Sequence, residues 1–495
     1  MRKVLVANRG EIAVRVIRAV REAGLRSVAV YSDSDRDAMH KDLADEAVAL
    51  GGESAAESYL DVDKILAACK ATGADALHPG YGFLSERASF SRACREAGVT
   101  FIGPSPEAME LLGAKIDAKR LAVSVGVPVT PGLFEPGASD QELKEAADKV
   151  GYPVMLKASA GGGGRGMRAV TDPADFDQAL TLARDEAQKA FGDPAMMLEK
   201  LVRDPRHIEV QFVADSHGQV VCLFERECSV QRRHQKLIEE SPSPVMTDDL
   251  WQRMRKATTA LVQASGYVGA GTAEFMFDEP SGEFYFLEVN ARLQVEHPVT
   301  EAVTGWDLVR AQLQVADGQK LAADPGERSR INGHAIEARV VAEDPATGFV
   351  PSVGQIIGLA LPQGPGIRVD TGYGQGSEIS RHFDSLVMKV IAHGPDRATA
   401  LARLRAALRD THVLGVKTNI AFLLDVLEHP EFVAGRFDTG FVGRAFADWK
   451  RPEPPSWLAN LLPFATTANS TQTATTSPSA WDATDGFRNG PKVTA

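Results

Sequence analysis

The sequence predicts a multidomain protein of mixed α/β and α+β class. Three observations support this: a length of 495 residues, an N-terminal stretch in which short apolar runs alternate with amphipathic segments, and later stretches rich in hairpin patterns. At roughly 150 residues per domain, a chain of this length is expected to hold about three domains. The 44% hydrophobic and 24% charged residues are typical of a globular protein.

The first predicted domain, residues 1–113, has a Rossmann-like α/β pattern. Runs such as VLVA, SVAVY and VTFIG alternate with helical stretches that begin near Glu11 and Glu86. This alternation is typical of βαβ units around a parallel sheet. Gly10 and Glu11 follow the first run, where a dinucleotide site would begin. Because ANRGE lacks the GxGxxG pattern, we interpret this segment as a helix start.

The remaining chain divides into two further predicted domains and a tail. Residues 114–330 combine a glycine-rich loop with hairpins and acidic strands, and residues 331–447 open with strands and end with helical segments. Residues 448–495 include the low-complexity run TTANSTQTATTSPS, and we expect a disordered tail. Its apolar island from Trp457 to Phe464 is either a docking peptide or a strap on the chain's own surface.

Composition restricts the expected partners and compartment. A net charge of −12 argues against nucleic-acid binding. No apolar run reaches the roughly 18 residues of a membrane span, and the N-terminus MRKVLVANRG shows no cleavage site for export. The four cysteines form no CxxC pair, which favours reduced thiols. We therefore expect a cytoplasmic protein that binds neither nucleic acid nor membrane.

A run of glycines predicts a mobile phosphate-binding lid. The segment VMLKASAGGGGRGMRAV places Gly161 to Gly164 and Gly166 between two strand-like runs, with Lys157 at the end of the first. Glycine lets backbone N–H groups approach an oxyanion closely, and a lysine there can meet phosphate oxygens. A plain linker would serve little purpose within one hairpin. The GxxxxGK[ST] pattern is absent, which disfavours a P-loop NTPase.

The segment TAEFMFDEPSGEFYFLEVNAR predicts a metal-binding hairpin. A fold-back near Ser281 sets Glu274 opposite Glu288, with Asn290 on the same face. Opposed carboxylates favour a cation between them, and oxygen ligands suit Mg²⁺ or Mn²⁺. The alternative is an edge hairpin whose acidic face is exposed to solvent. A shift of one residue in the strand register would turn these side chains to different faces, and the metal site would be lost. The expected apolar face comprises Phe275, Phe277, Leu287 and Val289.

Two further segments concentrate charge. In ARLQVEHPVTE, Arg292, Gln294 and Glu296 alternate, and in an extended strand they would share a face. In QRRHQKLIEE, a basic run from Arg232 to Lys236 precedes two glutamates. Alone, such a run is typical of a solvated surface.

Eight segments, in order, resemble the biotin carboxylase family: LVANRGEIAVRVIRA, LHPGYGFLSE, KASAGGGGRGMR, RHIEVQ, QRRHQK, GTAEF, FLEVNARLQVEHPVTE and HAIEAR. They extend over nearly the whole chain to about Ala447. The resemblance implies an ATP-grasp fold, preceded by the Rossmann-like domain and followed by an α+β C-terminal domain, with a lid over residues 131–203. It also implies ATP-dependent joining of bicarbonate to biotin, through carboxyphosphate, as the first half-reaction of an acyl-CoA carboxylase.

The resemblance further implies a role for each residue that matches a family motif. Bicarbonate would be bound by Lys236, Arg292, Gln294 and Val295, with Glu296 as its base. Arg339 would face the biotin ureido oxygen. Lys236, Arg292, Glu296 and Arg339 are thus the expected catalytic residues, and Glu274, Glu288 and Asn290 the expected ligands of Mg²⁺ or Mn²⁺. The expected ATP-binding residues are Lys115, Lys157, Gly163, Gly164, Glu199, Lys200, Val202, His207, Gln231, His234, Glu274 and Glu288.

Partners are implied in the same way. Biotin-accepting lysines of the carrier domains follow a methionine in a tight turn, whereas the Met388–Lys389 pair lies in the apolar run LVMKVIAHG, so biotinylation is not expected there. We expect a separate biotin carboxyl carrier protein, carboxyltransferase subunits and a homodimer, or else a fragment of a longer chain. The alternatives are another ATP-grasp carboxylate–amine ligase and an inactive organising subunit.

Overall fold

The computed structural model describes residues 1–135, 137–159, 166–322 and 330–453. Within these ranges, no helix combines the length and the apolar character that crossing a bilayer requires. Gly163 and Gly164 of the predicted lid lie outside the described residues, as does the tail from residue 454, including the apolar island. The predictions for these segments therefore stay predictions.

The N-terminal elements form the predicted parallel sheet with its helices. They are β1 (Lys3–Val6), α1 (Gly10–Glu22), β2 (Arg26–Tyr31), α2 (Met39–Leu43), β3 (Glu46–Ala49), α3 (Val62–Thr72), β4 (Ala76–His78), α4 (Ala88–Glu96) and β5 (Thr100–Phe101). The strand order is β3-β2-β1-β4-β5, with every pair parallel. Both faces of this sheet are buried, as is typical of parallel sheets. The strands therefore appear in the sequence as continuous apolar runs.

A smaller antiparallel sheet with its own core follows. Helices α5 (Pro106–Gly113) and α6 (Lys115–Ser124) precede it and pack in the core of the large sheet described next. The elements of the smaller sheet and its core are β6 (Gly132–Leu133), α7 (Asp140–Val150), β7 (Val154–Ala158), β8 (Met167–Val170), α8 (Phe176–Phe191) and β9 (Met196–Lys200). The sheet order is β6-β9-β7-β8, and Leu156, Phe176 and Leu198 lie in its core. Strands β7 and β8, which flank the glycine run in the sequence, pair with each other in antiparallel fashion, as predicted.

A large antiparallel sheet dominates the rest of the chain. The elements are β10 (Arg206–Ala214), β11 (Val220–Arg232), β12 (Gln235–Ser241), α9 (Asp248–Ala264), β13 (Gly269–Asp278), β14 (Glu283–Asn290), α10 (His297–Thr304), α11 (Leu308–Ala316), β15 (His334–Val341), β16 (Glu343–Asp344), β17 (Val350–Pro351), β18 (Gly354–Gln355), β19 (Gly358–Ala360), β20 (Ile367–Thr371), β21 (Glu378–Ile379), β22 (Leu386–Gly394), α12 (Arg397–Arg409), β23 (His412–Leu414), α13 (Ile420–Glu428), α14 (Pro430–Val433) and α15 (Phe441–Ala445). The sheet order is β14-β13-β10-β11-β12-β15-β22-β20. Strands on both sides of residue 330 therefore share one sheet.

The acidic hairpin reaches its predicted pairing through a bulge. Strands β13 and β14 close with Asp278 opposite Glu283, and that register, continued, would put Leu287 opposite Glu274. The register shifts next to Glu274, so that Leu287 becomes the extra residue and Glu288 lies opposite Glu274. The bulge therefore places both carboxylates on one face.

The same bulge corrects the predicted apolar face. Leu287 is only half-buried, because the extra residue turns it out of the core. Phe284 and Phe286 pack instead against Phe275, with ring centroids 5.4 and 6.1 Å away. Phe277 and Val289 are buried, as predicted.

Replacement of Phe275 by alanine is expected to lower the free energy of unfolding by about 3–5 kcal/mol, because the ring is fully buried between two others. Urea unfolding followed by circular dichroism measures the change. Leu182→Ala is the control: Leu182 is 44% exposed, and a change of only about 0.5 kcal/mol is expected. Equal losses in the two variants would contradict the packing described for Phe275.

Candidate active site

Two lysines converge on one buried carboxylate at the small sheet. Glu199 on β9 lies 2.6 Å from the Lys157 ammonium and 2.5 Å from that of Lys119 on α6. Burial alone would raise the pKa of Glu199, but the two ammonium groups lower it to about 2. Lys119 was not predicted. The available signal was its spacing, one helical turn after Lys115, which puts both lysines on one helix face.

Other predicted ATP ligands occupy varied settings. The Lys200 ammonium donates to two main-chain carbonyls before β7, at 2.7 and 3.2 Å. Val202 is half-buried, and Gln231 is buried and donates to the Cys228 carbonyl oxygen at 3.4 Å. His234 lies exposed at the β11–β12 turn with a φ of 67°. The described contacts therefore join Lys157 and Glu199 directly but leave Lys200 and His234 outside that cluster.

The acidic hairpin groups its predicted metal ligands. The Asn290 amide nitrogen donates to Glu274 at 2.8 Å, and His207 Nε2 lies 2.9 Å from the other Glu274 oxygen. Burial and the neighbouring Glu274 carboxylate raise the pKa of Glu288, whereas Lys115 lowers it. A further cation close to Glu288 would therefore stabilise the ionised form of this carboxyl group.

This donor set fits a divalent metal ion. Two carboxylates and a carboxamide offer the oxygen ligands that Mg²⁺ and Mn²⁺ prefer, and a cation between Glu274 and Glu288 would offset their mutual repulsion. Ligand atoms of His207, Glu209 and Glu274 also lie within 4.8 Å of one another. Glu274 belongs to both groups of potential ligands.

One ammonium group joins three carboxylates at the centre of the site. The Lys236 nitrogen lies 2.6 Å from Glu209, 2.6 Å from Glu296 and 3.1 Å from Glu274. Burial alone would lower the pKa of Lys236, but the acidic groups around it raise that pKa well above its usual range. Burial likewise opposes ionisation of Glu274, yet Lys236 and His207 hold its pKa below the ordinary value. We refer to Lys236, Glu209, Glu274 and Glu296 as the central ion cluster.

Arg339 on β15 extends this cluster. Its guanidinium lies 2.9 Å from Glu296 and donates through Nε to Glu239 at 2.6 Å. Burial would raise the pKa of Glu296, but Lys236 and Arg339 lower it well below the usual range. Burial raises the pKa of Glu239 to about 7, although Arg339 opposes the rise. Arg339 therefore contacts one firmly ionised carboxylate and one that titrates near neutral pH.

Residues 291–296, here named the anion loop, do not form the predicted extended strand. Glu296 has φ −81° and ψ 9° and precedes α10, which has Pro298 in its first turn. Because proline at this position favours helix initiation, the chain turns at Glu296 instead of continuing as a strand. The expectation of a shared strand face is therefore wrong. The side chains converge through separate contacts instead, as Gln294 donates to Glu274 at 3.3 Å.

Arg292 links the anion loop to Glu86 and to the end of β14. Its guanidinium donates to Glu86 at 2.9 Å, to Gln294 at 2.8 Å and to Asn290 at 2.9 Å. The carbonyl oxygen of Val295 accepts a hydrogen bond from the Lys389 ammonium at 2.8 Å. The structure thus connects the predicted bicarbonate residues to the predicted metal hairpin.

Several carboxylates that the structure places here were not predicted: Glu86, Glu209 and Glu239. Each lies inside a segment already singled out, and Glu209 follows His207 by two residues on β10, which puts both on one strand face. The basic run was predicted as a solvated surface when considered alone. Lys236 departs from that reading because it is largely buried among carboxylates, whereas Arg233 and His234 are exposed.

Three family models match consecutive parts of the chain. Residues 1–109 match the biotin carboxylase N-terminal domain, residues 114–324 the ATP-binding domain of the carbamoyl-phosphate synthase L chain, and residues 337–444 the biotin carboxylase C-terminal domain. Two of the three models therefore describe the same family.

Curated relatives and solved structures agree with these matches. The chain is 48% identical over 440 residues to a biotin carboxylase of Nostoc, covering 89% of this chain and 98% of the relative. It is 47% identical over 447 residues, or 90% of its length, to the mouse mitochondrial methylcrotonoyl-CoA carboxylase subunit alpha, of which it spans only 62%. A biotin carboxylase domain dimer of Hydrogenobacter thermophilus 2-oxoglutarate carboxylase, solved with MgADP, ADP and bicarbonate, superposes with a TM-score of 0.87 at 42% identity, covering 91% of this chain and 99% of that chain.

Replacement of Lys236 by methionine is expected to destabilise the chain by about 3–5 kcal/mol at pH 8, because three buried carboxylates lose their shared cation. In the variant, burial raises the pKa of these carboxyls, so they take up protons as the pH falls and the deficit shrinks towards pH 5. In the unsubstituted chain, the pKa values of Glu274 and Glu296 are lowered, so both groups stay ionised between pH 8 and pH 5. Their contribution to the free energy of unfolding is therefore retained over this pH range, because it is lost only when the pH falls through their lowered pKa values. Urea unfolding at pH 8 and pH 5 tests this.

Lys236→Arg, which retains the charge, is the control and should show a smaller deficit that changes little between the two pH values. A Lys236→Met deficit of equal size at pH 8 and pH 5 would assign the loss to packing and not to charge.

Proposed function

The chain belongs to the biotin carboxylase family of ATP-dependent ligases, and we propose that it carboxylates biotin on a separate carrier protein with bicarbonate as the carbon source. One observation carries the proposal: Glu296 lies between the Lys236 ammonium and the Arg339 guanidinium, at 2.6 and 2.9 Å. A base is thus flanked by one cation suited to bicarbonate and another suited to the ureido oxygen of biotin.

Bicarbonate binding is the first role of this site. Bicarbonate is planar and anionic, so the guanidinium of Arg292 and the ammonium of Lys236 provide a suitable clamp. Gln294 and the main chain of Val295 complete the set. Because Arg292 already contacts Glu86, Gln294 and Asn290, its orientation is fixed before an anion arrives.

Glu296 is the base that takes the remaining bicarbonate proton. Its low pKa keeps it ionised, although a strongly stabilised carboxylate is a weak base. Lys236 and Arg339 cause that stabilisation. An anion that binds these two cations competes with Glu296 for them, so we expect the pKa of Glu296 to rise as the substrates bind.

The deprotonated bicarbonate then receives the γ-phosphoryl group of ATP and forms carboxyphosphate. Lys157 and Lys119, held on Glu199, supply positive charge at the small sheet. A divalent ion held by Glu274, Glu288 and Asn290 would neutralise charge on the phosphates when bound. Exclusion of water by the lid would protect carboxyphosphate from hydrolysis.

Biotin is carboxylated in the last step. Carboxyphosphate breaks into CO₂ and phosphate, and the phosphate removes the proton from biotin N1. The electron pair left on N1 delocalises onto the ureido oxygen and then attacks CO₂ to form the new C–N bond. Arg339 meets the charge on that oxygen with a cation that stays protonated at every physiological pH.

The carrier and the final acceptor extend the proposal. Lys389 is fully buried within β22, so it offers no accessible biotinylation site. We propose that a carrier protein brings biotin to a homodimer of this chain and that carboxyltransferase subunits pass the carboxyl group to acetyl-CoA or a related acyl-CoA. The relatives are named for methylcrotonoyl-CoA and pyruvate carboxylases, and a neighbouring structure for 2-oxoglutarate carboxylase, so the partner enzyme sets the acceptor.

The function is tested by ADP release from the purified chain with MgATP and bicarbonate, with and without free biotin. Biotin should stimulate turnover, and labelled bicarbonate should appear in carboxybiotin. Stimulation by D-alanine or ammonia in place of biotin would favour an ATP-grasp carboxylate–amine ligase. ATP binding without turnover under any of these conditions would instead indicate an inactive organising subunit.

Replacement of Arg339 by alanine should spare ATP binding but lower biotin carboxylation by at least about 100-fold, because the ureido oxygen loses its cation. Calorimetric titration with ATP and carboxybiotin formation measure the two properties. Arg397→Ala is a matched control, since Arg397 pairs with Glu240 on the same strand as Glu239 but does not contact the central ion cluster. A normal carboxylation rate in Arg339→Ala would remove this residue from the mechanism.

Replacement of Glu288 by glutamine should raise the Mg²⁺ concentration needed for half-maximal turnover by about 10-fold or more, because a charged metal ligand is lost. Steady-state assays over a range of Mg²⁺ concentrations at saturating ATP measure the shift. Glu283→Gln alters an exposed carboxylate at the other end of β14 and should leave the Mg²⁺ dependence unchanged. Identical curves for the two variants would exclude Glu288 as a ligand.

A further inference from the structure

Lys389 is a buried cation to which the proposed mechanism gives no role. It lies on β22 among apolar neighbours and is fully buried. Its ammonium lies 3.1 Å from Glu11 and 3.7 Å from Asp370, and it donates to the Val295 carbonyl oxygen at 2.8 Å. A lysine is almost never buried without such partners, so this position is built around its charge.

The partners of Lys389 come from distant parts of the chain. Glu11 lies in the first turn of α1 in the predicted N-terminal domain, where it also accepts a hydrogen bond from Tyr81. Asp370 lies on β20 in the predicted C-terminal domain, directly opposite Lys389. Val295 belongs to the anion loop of the predicted ATP-binding domain. One ammonium group therefore joins three predicted domains.

The sheet directs Lys389 towards the active site. In the antiparallel pairing of β15 with β22, Arg339 lies opposite Lys389, and opposed residues share a face. Glu337 lies two residues before Arg339 on that face, is buried, and raises the pKa of Lys389 together with Glu11. Burial works in the opposite direction, but the carboxylates outweigh it and the ammonium stays charged.

The hydrogen bond to Val295 fixes one particular peptide group. The carbonyl of Val295 and the N–H of Glu296 belong to the same rigid plane, so a donor that holds the carbonyl also sets the orientation of the Glu296 backbone. This plane lies between two side chains of the site, since Gln294 contacts Glu274 and Glu296 contacts Lys236 and Arg339. A change of this plane would displace both.

We propose that Lys389 is a positioning residue for the anion loop: its ammonium holds the Val295–Glu296 peptide so that Gln294 and Glu296 face bicarbonate. The inference rests on the proposed function. It goes beyond that function in making bicarbonate recognition depend on a residue of the C-terminal sheet. Glu11 is the counter-ion that keeps the ammonium in place.

Lys389→Met tests the proposal, because methionine keeps the length of the side chain but removes its charge and donors. The KM for bicarbonate should rise about 10-fold, the effect expected for one lost charge-assisted hydrogen bond, whereas the Kd for ATP should change less than about twofold. Lys389→Arg, which restores a donor and a charge, should recover part of the bicarbonate affinity. A bicarbonate KM in Lys389→Met within about twofold of the unsubstituted chain would overturn the proposal.

A double variant separates positioning from stability. Lys389→Met leaves Glu11 buried without its cation, so that variant is expected to be unstable. Adding Glu11→Gln removes the unpaired charge and should restore thermal stability while the bicarbonate KM stays high. If the double variant regained both stability and a normal bicarbonate KM, Lys389 would be a structural residue only, and the proposal would fail.

Two further comparisons complete the test. Arg397→Met removes a part-buried ion pair to Glu240 away from the anion loop, and it should lower stability without changing the bicarbonate KM. A rise in bicarbonate KM there equal to that of Lys389→Met would overturn the proposal. The unsubstituted chain is the reference: absence of bicarbonate- and biotin-dependent ADP release from it would refute the proposed function, and with it this inference. Normal turnover with an unaltered KM in Lys389→Met would refute the inference alone.

Discussion

The central ion cluster is the constraint on which the rest of the site depends. The Lys236 ammonium lies 2.6–3.1 Å from carboxylates of β10, β13 and the anion loop, and it is the cation that all three share. Each carboxylate has one further basic neighbour, namely Arg226, His207 or Arg339. Without the shared cation, these three buried carboxylates would cost considerably more free energy to keep ionised. The meeting of these segments is therefore most favourable where β12 brings its lysine to the same point. The large antiparallel sheet provides this, because β12 lies next to β11 and two strands from β10.

The carboxyl groups around Arg339 determine how far its positive charge is offset. Arg339 faces Glu239 and Glu296, and β12–β15 pairing also puts Glu337 opposite Glu239. Burial raises the pKa of Glu239 to about 7, and burial raises that of Glu337 well above the usual range. Near neutral pH, Glu239 is therefore only partly ionised, and burial favours the neutral form of Glu337. The positive charge of Arg339 is then only partly offset by these carboxyl groups, which suits the role proposed for it above.

Much of the fold could be predicted because its signals are local. The N-terminal alternation, the pairing of the two strands that flank the glycine run and the hairpin around Glu274 and Glu288 all follow from periodicity and turn residues within one segment. The Glu274–Glu288 pairing nevertheless depends on a bulge that places Leu287 as an extra residue, and bulges leave little trace in a single sequence. The anion loop does not follow the strand-like alternation of its polar residues, because Pro298 favours a helix start directly after Glu296.

The unpredicted residues share a different property: their partners are remote in sequence. Lys119 meets Glu199 across 80 positions, and Lys389 meets Glu11 across 378. Within its own segment, Lys389 is only an unexpected charge in an apolar strand, and Lys119 is only one of several charged residues on a helix. The position of Lys389 relative to the site can be inferred only when the sheet order is known, because the pairing of β15 with β22 places Lys389 opposite Arg339. The residues predicted to bind substrates lie in recognisable segments, whereas residues that contact those segments from elsewhere in the chain, such as Lys389, are identified only from the sheet topology.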